Sequence, residues 1–251
     1  MASVEEYTDP YLAHYTYVPP VGPAVCDVCH VAVETGWPRC ESCELTTGQV
    51  SRPARLMAPV SLYTGLDQLH HVLRNYKDSR IEAIRERLGM RVSATLGRFL
   101  RDHEACLSGG GRFDIVTVVP SAKRPHPHPL ETAILRVRDL RDRFGRMLEP
   151  GTEPVQHRRA SDTGFRIVGS VSEARVLLID DTFTSGAALQ SAASAIGLAG
   201  ASDVAAVMIG RFFRPEYSDT THTFWAAVKA RGFSFGRCAL EPDPKWVWPP
   251  P

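Results

Sequence analysis

Residues 176–189, Val-Leu-Leu-Ile-Asp-Asp-Thr-Phe-Thr-Ser-Gly-Ala-Ala-Leu, constrain the fold more than any other stretch of the chain. The run at 175–181, Arg-Val-Leu-Leu-Ile-Asp-Asp, is apolar without alternation. A strand of that kind is buried on both faces, as in parallel sheets covered by helices. An Ala-rich run at 186–198 follows at once and reads as a helix. Residues 114–120 and 203–210 read as further strands, the first rich in β-branched residues. Residues 59–63 read as a short strand before a turn at Gly65. Residues 80–107 carry Ile81, Ile84, Leu88, Val92, Leu96, Phe99 and Leu100 at helical spacing, and Gly109-Gly110-Gly111 ends the pattern. Helices are also expected at 130–144 and 220–231, and a mobile excursion at 149–170. Alternating strands and helices predict an α/β chain with a doubly wound, mostly parallel sheet. Ligands of such sheets sit at the carboxyl ends of the strands.

The end of the 175–181 strand is where chemistry is expected. Asp180 and Asp181 are followed by Thr182, Phe183, Thr184, Ser185 and Gly186. A helix start offers free backbone N–H groups and a partial positive charge. The small residues at 184–188 let a phosphomonoester approach closely, with Thr184 and Ser185 adding hydroxyls. The two carboxylates repel phosphate, but accept hydrogen bonds from a pair of neighbouring hydroxyls. A ribose 5-phosphate meets both demands. The bland alternative is a structural strand–helix turn. No Gly-Lys-Ser/Thr and no Gly-x-Gly-x-x-Gly after a strand is present, which sets aside the P-loop and the dinucleotide fingerprint.

With 43% hydrophobic and 23% charged residues, the chain has the means to form a core. Its net charge of +1 hides an uneven distribution: residues 1–50 hold seven acids and one base, residues 121–166 ten bases and six acids. An anion is therefore favoured in the middle of the chain. Lys123 and Arg124 follow the 114–120 strand in a proline-rich loop, Ser-Ala-Lys-Arg-Pro-His-Pro-His-Pro, whose His126 and His128 read as loop residues. Arg158, Arg159 and Arg166 suit either a lid or an exposed basic loop. Arg136, Arg138, Arg141, Arg143 and Arg146 suit either a solvated helix face or a nucleic-acid groove.

Cys26-x2-Cys29-x10-Cys40-x2-Cys43 has the spacing of a four-thiolate Zn²⁺ site, closed and therefore structural. Its acidic surroundings argue against a phosphate backbone as its partner. Cys106 and Cys238 read as small buried hydrophobes. The N-terminus lacks the pattern of a secretory signal, and no apolar run reaches the ~20 residues of a membrane span. A cytoplasmic location is expected, where paired cysteines favour metal over disulfide.

The string from the 175–181 strand through Gly186 resembles the PRPP motif of type I phosphoribosyltransferases. Together with the cysteine quartet ahead of it, the arrangement resembles the ComF family of competence-associated, phosphoribosyltransferase-like proteins. Residues 69–77 (Leu-His-His-Val-Leu-Arg-Asn-Tyr-Lys) look like that family's Leu-Lys-Tyr region, and Val118-Val119-Pro120 like its Pro-Val-Pro strand end. Where the family has Arg-Gly-Phe-Asn-Gln, this chain has His126-Pro127-His128-Pro129-Leu130-Glu131. The resemblance implies a type I phosphoribosyltransferase fold over residues 59–251 and a zinc ribbon over 25–58; the Tyr- and Pro-rich residues 1–24 read as an extended arm. It implies Asp180 and Asp181 at the ribose as catalytic residues. Thr182, Phe183, Thr184, Ser185, Gly186, Ala187 and Ala188 are then the PRPP and phosphate contacts, and Lys123 and Arg124 face pyrophosphate with Mg²⁺. Two functions stay open: transfer of phosphoribosyl to an unidentified nucleophile, and non-catalytic PRPP or nucleotide binding in DNA uptake or regulation. Expected partners are single-stranded DNA or a competence helicase-type protein, and a second copy in a homo-oligomer.

Overall fold

The computed structural model describes residues 3–121, 124 and 127–249. The chain opens with α1 (Val4–Thr8), closed by a Ser3–Glu6 capping box, and a 3₁₀ turn at Asp9–His14. The N-terminal segment is thus not an extended arm throughout. It is helical because Ser3 and Glu6 satisfy each other's orphan N–H groups. It lies along a long helix that reaches back with Arg98 to Asp9 (2.5 Å) and Arg101 to Glu5 (2.8 Å).

The elements that follow are α2 (Glu41–Gly48), β1 (Leu56–Tyr63), α3 (Gln68–Asp78), α4 (Glu82–Ser108) and β2 (Ile115–Val118). Next come α5 (Pro129–Leu135), α6 (Arg138–Arg141), β3 (Leu148–Pro150) and β4 (Phe165–Ile167). The chain closes with β5 (Arg175–Phe183), α7 (Ala187–Leu198), β6 (Asp203–Phe212) and α8 (Asp219–Arg231). Among the described residues, four strands form one sheet in the order β1-β6-β5-β2. Each neighbouring pair is parallel. The expected α/β architecture with a mostly parallel central sheet is therefore present.

The reason is visible in β5. Val176 and Leu178 face a core shared with α7, α8 and the cysteine module, whereas Leu177 and Ile179 face one shared with α3, α4 and α5. All four are fully buried. Burying each such side chain is worth about 1.5–3 kcal/mol, so a polar residue on either face would be costly. β1 starts at Leu56, within the segment assigned to the ribbon, and tolerates Pro59 because it is an edge strand. α4 ends as expected, with Gly109 in the left-handed region (φ 63°).

Two expectations need correction. The 130–144 helix is broken into α5 and α6, because Val137 adopts an extended conformation (φ −90°, ψ 106°). The 149–170 stretch is pinned rather than free. It forms the β3–β4 ladder, and Asp162 accepts from Ser194 Oγ (2.5 Å) and from Ser51 Oγ (2.6 Å). Among the described residues no helix is long and apolar enough to cross a membrane.

Candidate functional site

β5 carries its acids to the carboxyl edge of the sheet and continues through Phe183 before the turn into α7. Asp181 is buried, and its Oδ2 accepts from Lys77 Nζ at 2.7 Å and from the Tyr76 hydroxyl. Tyr76 and Lys77 directly precede Asp78, the last residue of α3, so this helix ends on Asp181. Asp180 accepts from backbone N–H groups, that of Asp181 at 2.8 Å and that of Thr182. Burial, then the Asp181 charge, push the Asp180 carboxyl up to about 7, against the pull of Lys77. The two adjacent acids thus differ in state: Asp181 is ion-paired, and Asp180 shares its proton near neutrality. Burial also pushes Tyr63 up to about 12, although a hydrogen bond to Thr182 works the other way.

The turn itself is held tightly. Gly186 caps α7 with φ 83°, and a Cβ there would lie 2.4 Å from the Phe183 ring. The side chain of a non-glycine residue would meet that ring, and the left-handed backbone disfavours it in any case. Ser185 is buried, and its Oγ accepts from the Arg158 backbone N–H at 3.1 Å. Thr184 is exposed and Ala188 half-buried. The α7 start therefore combines the small residues and the helix polarity that an anion needs.

The expected pyrophosphate loop is represented by Arg124, since Lys123 and His126 lie outside the described residues. β2 pairing extends to Val119, whose N–H donates to Ile179 O at 3.1 Å, so the loop leaves the sheet beside Asp180. Arg124 pairs with Asp78 at 2.6 Å, at the end of α3. His128 is buried as the N-cap of α5, where its ring accepts from Leu130 N–H at 3.2 Å. Burial holds it below its ordinary value, and Asp181, Lys77 and Arg124 are among the charges acting on it. It is a loop residue as expected, and it lies near enough to Asp181 to feel that charge.

The basic residues expected on the 130–144 helix face are largely engaged. Arg143 is half-buried against Glu104 and the Phe113 carbonyl, and Arg146 pairs with Glu131 at 2.7 Å. Of the expected lid, Arg158 pairs with Glu41 at 2.5 Å and Arg166 with Glu149.

The cysteine quartet converges. The Sγ atoms of Cys26, Cys29, Cys40 and Cys43 lie within 4.8 Å of one another. Tetrahedral Zn²⁺ with bonds near 2.3 Å requires thiolates about 3.8 Å apart, and Cys29 and Cys40 are separated by 3.7 Å. The donors thus fit a structural zinc. The first pair sits in a tight turn closed by Cys26 N–H to Val31 O, and Cys29 N–H donates to Cys26 Sγ at 3.5 Å. The second pair is not a matching turn: Cys40 caps α2 and Cys43 lies in its first turn. The module is bolted to the sheet by His30, whose ring spans the Pro19 and Met57 carbonyls at 2.9 and 3.0 Å.

Two residues join this module to the turn. Arg211, at the end of β6, is buried and donates to Thr184 O at 2.9 Å. Burial opposes its charge, but the Cys29, Cys40 and Cys43 sulfurs beside it outweigh burial and keep the guanidinium strongly basic. From α2, Thr46 Oγ1 reaches Ser185 O at 3.5 Å. The sequence carried little sign of this. Arg211 has no motif, and Tyr76 and Lys77 stood out only as the end of the 69–77 string. A cleft of about 340 Å³ lined by Asp27, Arg39, Glu44, Thr47 and Ala54 opens beside the module and includes no residue of the turn.

No protein-family model matches the chain, and no curated protein matches it in sequence.

Proposed function

We propose that the carboxyl edge of the sheet binds PRPP or a related ribose 5-phosphate, with Mg²⁺ accompanying the pyrophosphate, in a phosphoribosyltransferase-like fold of the ComF type. The observation that carries the reading is the continuity of three features: the Asp180–Asp181 pair, the turn closed by Gly186, and the start of α7. The acids would accept hydrogen bonds from the ribose hydroxyls, and the N–H groups at 185–188 would take the 5-phosphate. Arg124 and Lys123 would face the pyrophosphate, whose developing charge needs cations. In transfer, the bond from the anomeric carbon to pyrophosphate oxygen breaks, a bond to the nucleophile forms, and the nucleophile's proton is released.

A second reading, PRPP or nucleotide binding without transfer, draws on Asp181. Its Oδ2 is already held by Lys77 and Tyr76, so a ribose must displace or share those partners. Calorimetric titration with PRPP and Mg²⁺, followed by a pyrophosphate-release screen over bases and amines, separates the two. Binding with release supports transfer, and binding without release supports the accessory role. Asp180→Asn, which breaks no ion pair, is expected to weaken PRPP at least tenfold. Undiminished affinity would remove the ribose assignment.

A further inference from the structure

We infer a second metal site, on the opposite face of the sheet from the cysteine quartet, formed by His103, Cys106 and Cys238, with the neighbouring Glu241 carboxylate as the group that would complete it. The two cysteines expected to be inert core residues are half of it. His103 and Cys106 are one turn apart on α4, and Cys238 and Glu241 have the same spacing in the C-terminal turn, closed by Glu241 N–H to Cys238 O at 3.1 Å.

The geometry is that of a ligand set. His103 Nδ1, Cys106 Sγ and Cys238 Sγ lie within 4.8 Å of one another. Cys106 Sγ stands 3.8 Å from His103 Nδ1 and 3.3 Å from Glu241 Oε1, and Glu241 Oε2 is 3.7 Å from His103 Nδ1. Bonds of about 2.0–2.3 Å at tetrahedral angles place N, O and S ligands about 3.3–3.8 Å apart. The histidine is oriented for the task. Its Nε2 lies 2.6 Å from the Phe235 carbonyl, which can only accept, so Nε2 carries the hydrogen and Nδ1 presents its lone pair to the cluster. A carbonyl on the far nitrogen is the usual support of a metal-bound imidazole. Leu240 N–H donates to Cys238 Sγ at 3.5 Å.

The donor set selects the ion. Two thiolates, one imidazole and one carboxylate suit Zn²⁺ or a similar borderline cation, and not Mg²⁺ or Ca²⁺, which prefer oxygen cages. His103 and Cys238 are buried, but the Glu241 side chain is 50% exposed. The fourth position is therefore the replaceable one. The site is independent of the quartet: Cys238 belongs to the α4 core, and Cys26, Cys29 and Cys43 to the core beyond the sheet. Bound metal would staple the C-terminal turn to α4, where Phe233 and Phe235 also pack on Tyr15.

The test is cobalt reconstitution of the full chain, followed by visible absorption. The first equivalent fills the four-thiolate site; a second is expected to add bands with weaker sulfur charge transfer, as two thiolates require. Glu241→Gln, at an exposed position that leaves the fold alone, is expected to lower the affinity of the second equivalent by at least about tenfold. Cys106→Ser with Cys238→Ser is expected to abolish it and leave the first unchanged. Uptake of a single equivalent by the wild type overturns the inference. So does a Cys106–Cys238 disulfide in the purified chain, or a second equivalent indifferent to all three substitutions.

Discussion

Asp180 and Asp181 have the same covalent structure and differ in their surroundings. Asp181 is ion-paired with Lys77, while Asp180 is desolvated next to another carboxylate. The consequence for stability has a definite sign. The folded chain holds the Asp180 proton up to about 7, against an ordinary value of 3.8, so it binds more protons than the unfolded chain between those limits. Stability contributed by this group is complete below about pH 4 and is lost as pH rises through about 7. Asp180→Asn should therefore melt progressively higher than the wild type as pH rises across that window. At pH 8 the gain should reach about 10 °C, the effect of roughly 4 kcal/mol in a chain of this size. Melting curves of the two proteins at pH 4 to 8 check this, and a pH-independent difference would mean the carboxyl is ionised throughout. Asp181→Asn should act in the opposite direction, costing on the order of 3 kcal/mol, because it leaves Lys77 charged and largely buried without its partner.

At the scale of elements, the turn from β5 into α7 depends on contacts from three directions. Gly186 closes it against Phe183, Arg211 ties the Thr184 carbonyl from β6, and the 149–170 stretch reaches Ser185 from outside. Gly186→Ala should cost at least about 1–2 kcal/mol, from the left-handed backbone alone. If the turn holds a 5-phosphate as proposed, it should also weaken PRPP more than the stability loss explains, since it moves the N–H groups at the α7 start. Arg211→Lys keeps the charge and loses the fork that serves the carbonyl and the sulfurs together. Its expected signature is faster loss of zinc to a chelator with little change in helix content, followed by absorbance of a chromophoric chelator. An unchanged release rate would mean that Arg211 supports the turn alone.

At the scale of the molecule, the cysteine module is part of the main core rather than an appendage. Cys26, Cys29 and Cys43 share one apolar cluster with β5, α7, α8 and Trp248. Removing the metal should therefore unfold more than the module. With structural zinc worth on the order of 10 kcal/mol, a chelator is expected to lower the melting temperature by roughly 10 °C or more in one cooperative transition. Two separated transitions, with the sheet melting unchanged, would contradict this shared core.

The sequence by itself determined the parallel sheet, the order of its strands along the chain, the acidic strand end and the cysteine quartet. Each is a local pattern: an unalternated apolar run, a glycine at a helix start, a pair of short cysteine spacings. Helix 130–144 was misread because a break at Val137 leaves no mark when its flanks stay apolar at helical spacing. The partners of the site were decided only by tertiary structure. Tyr76 and Lys77 reach Asp181 across 105 and 104 positions of chain, Arg211 meets sulfurs from the N-terminal module, and His103 meets Cys238 and Glu241. Such contacts arise where separate elements converge on one end of a sheet or one helix face. No spacing in the sequence encodes them, because the distances that matter are set by packing and not by the number of residues between the partners.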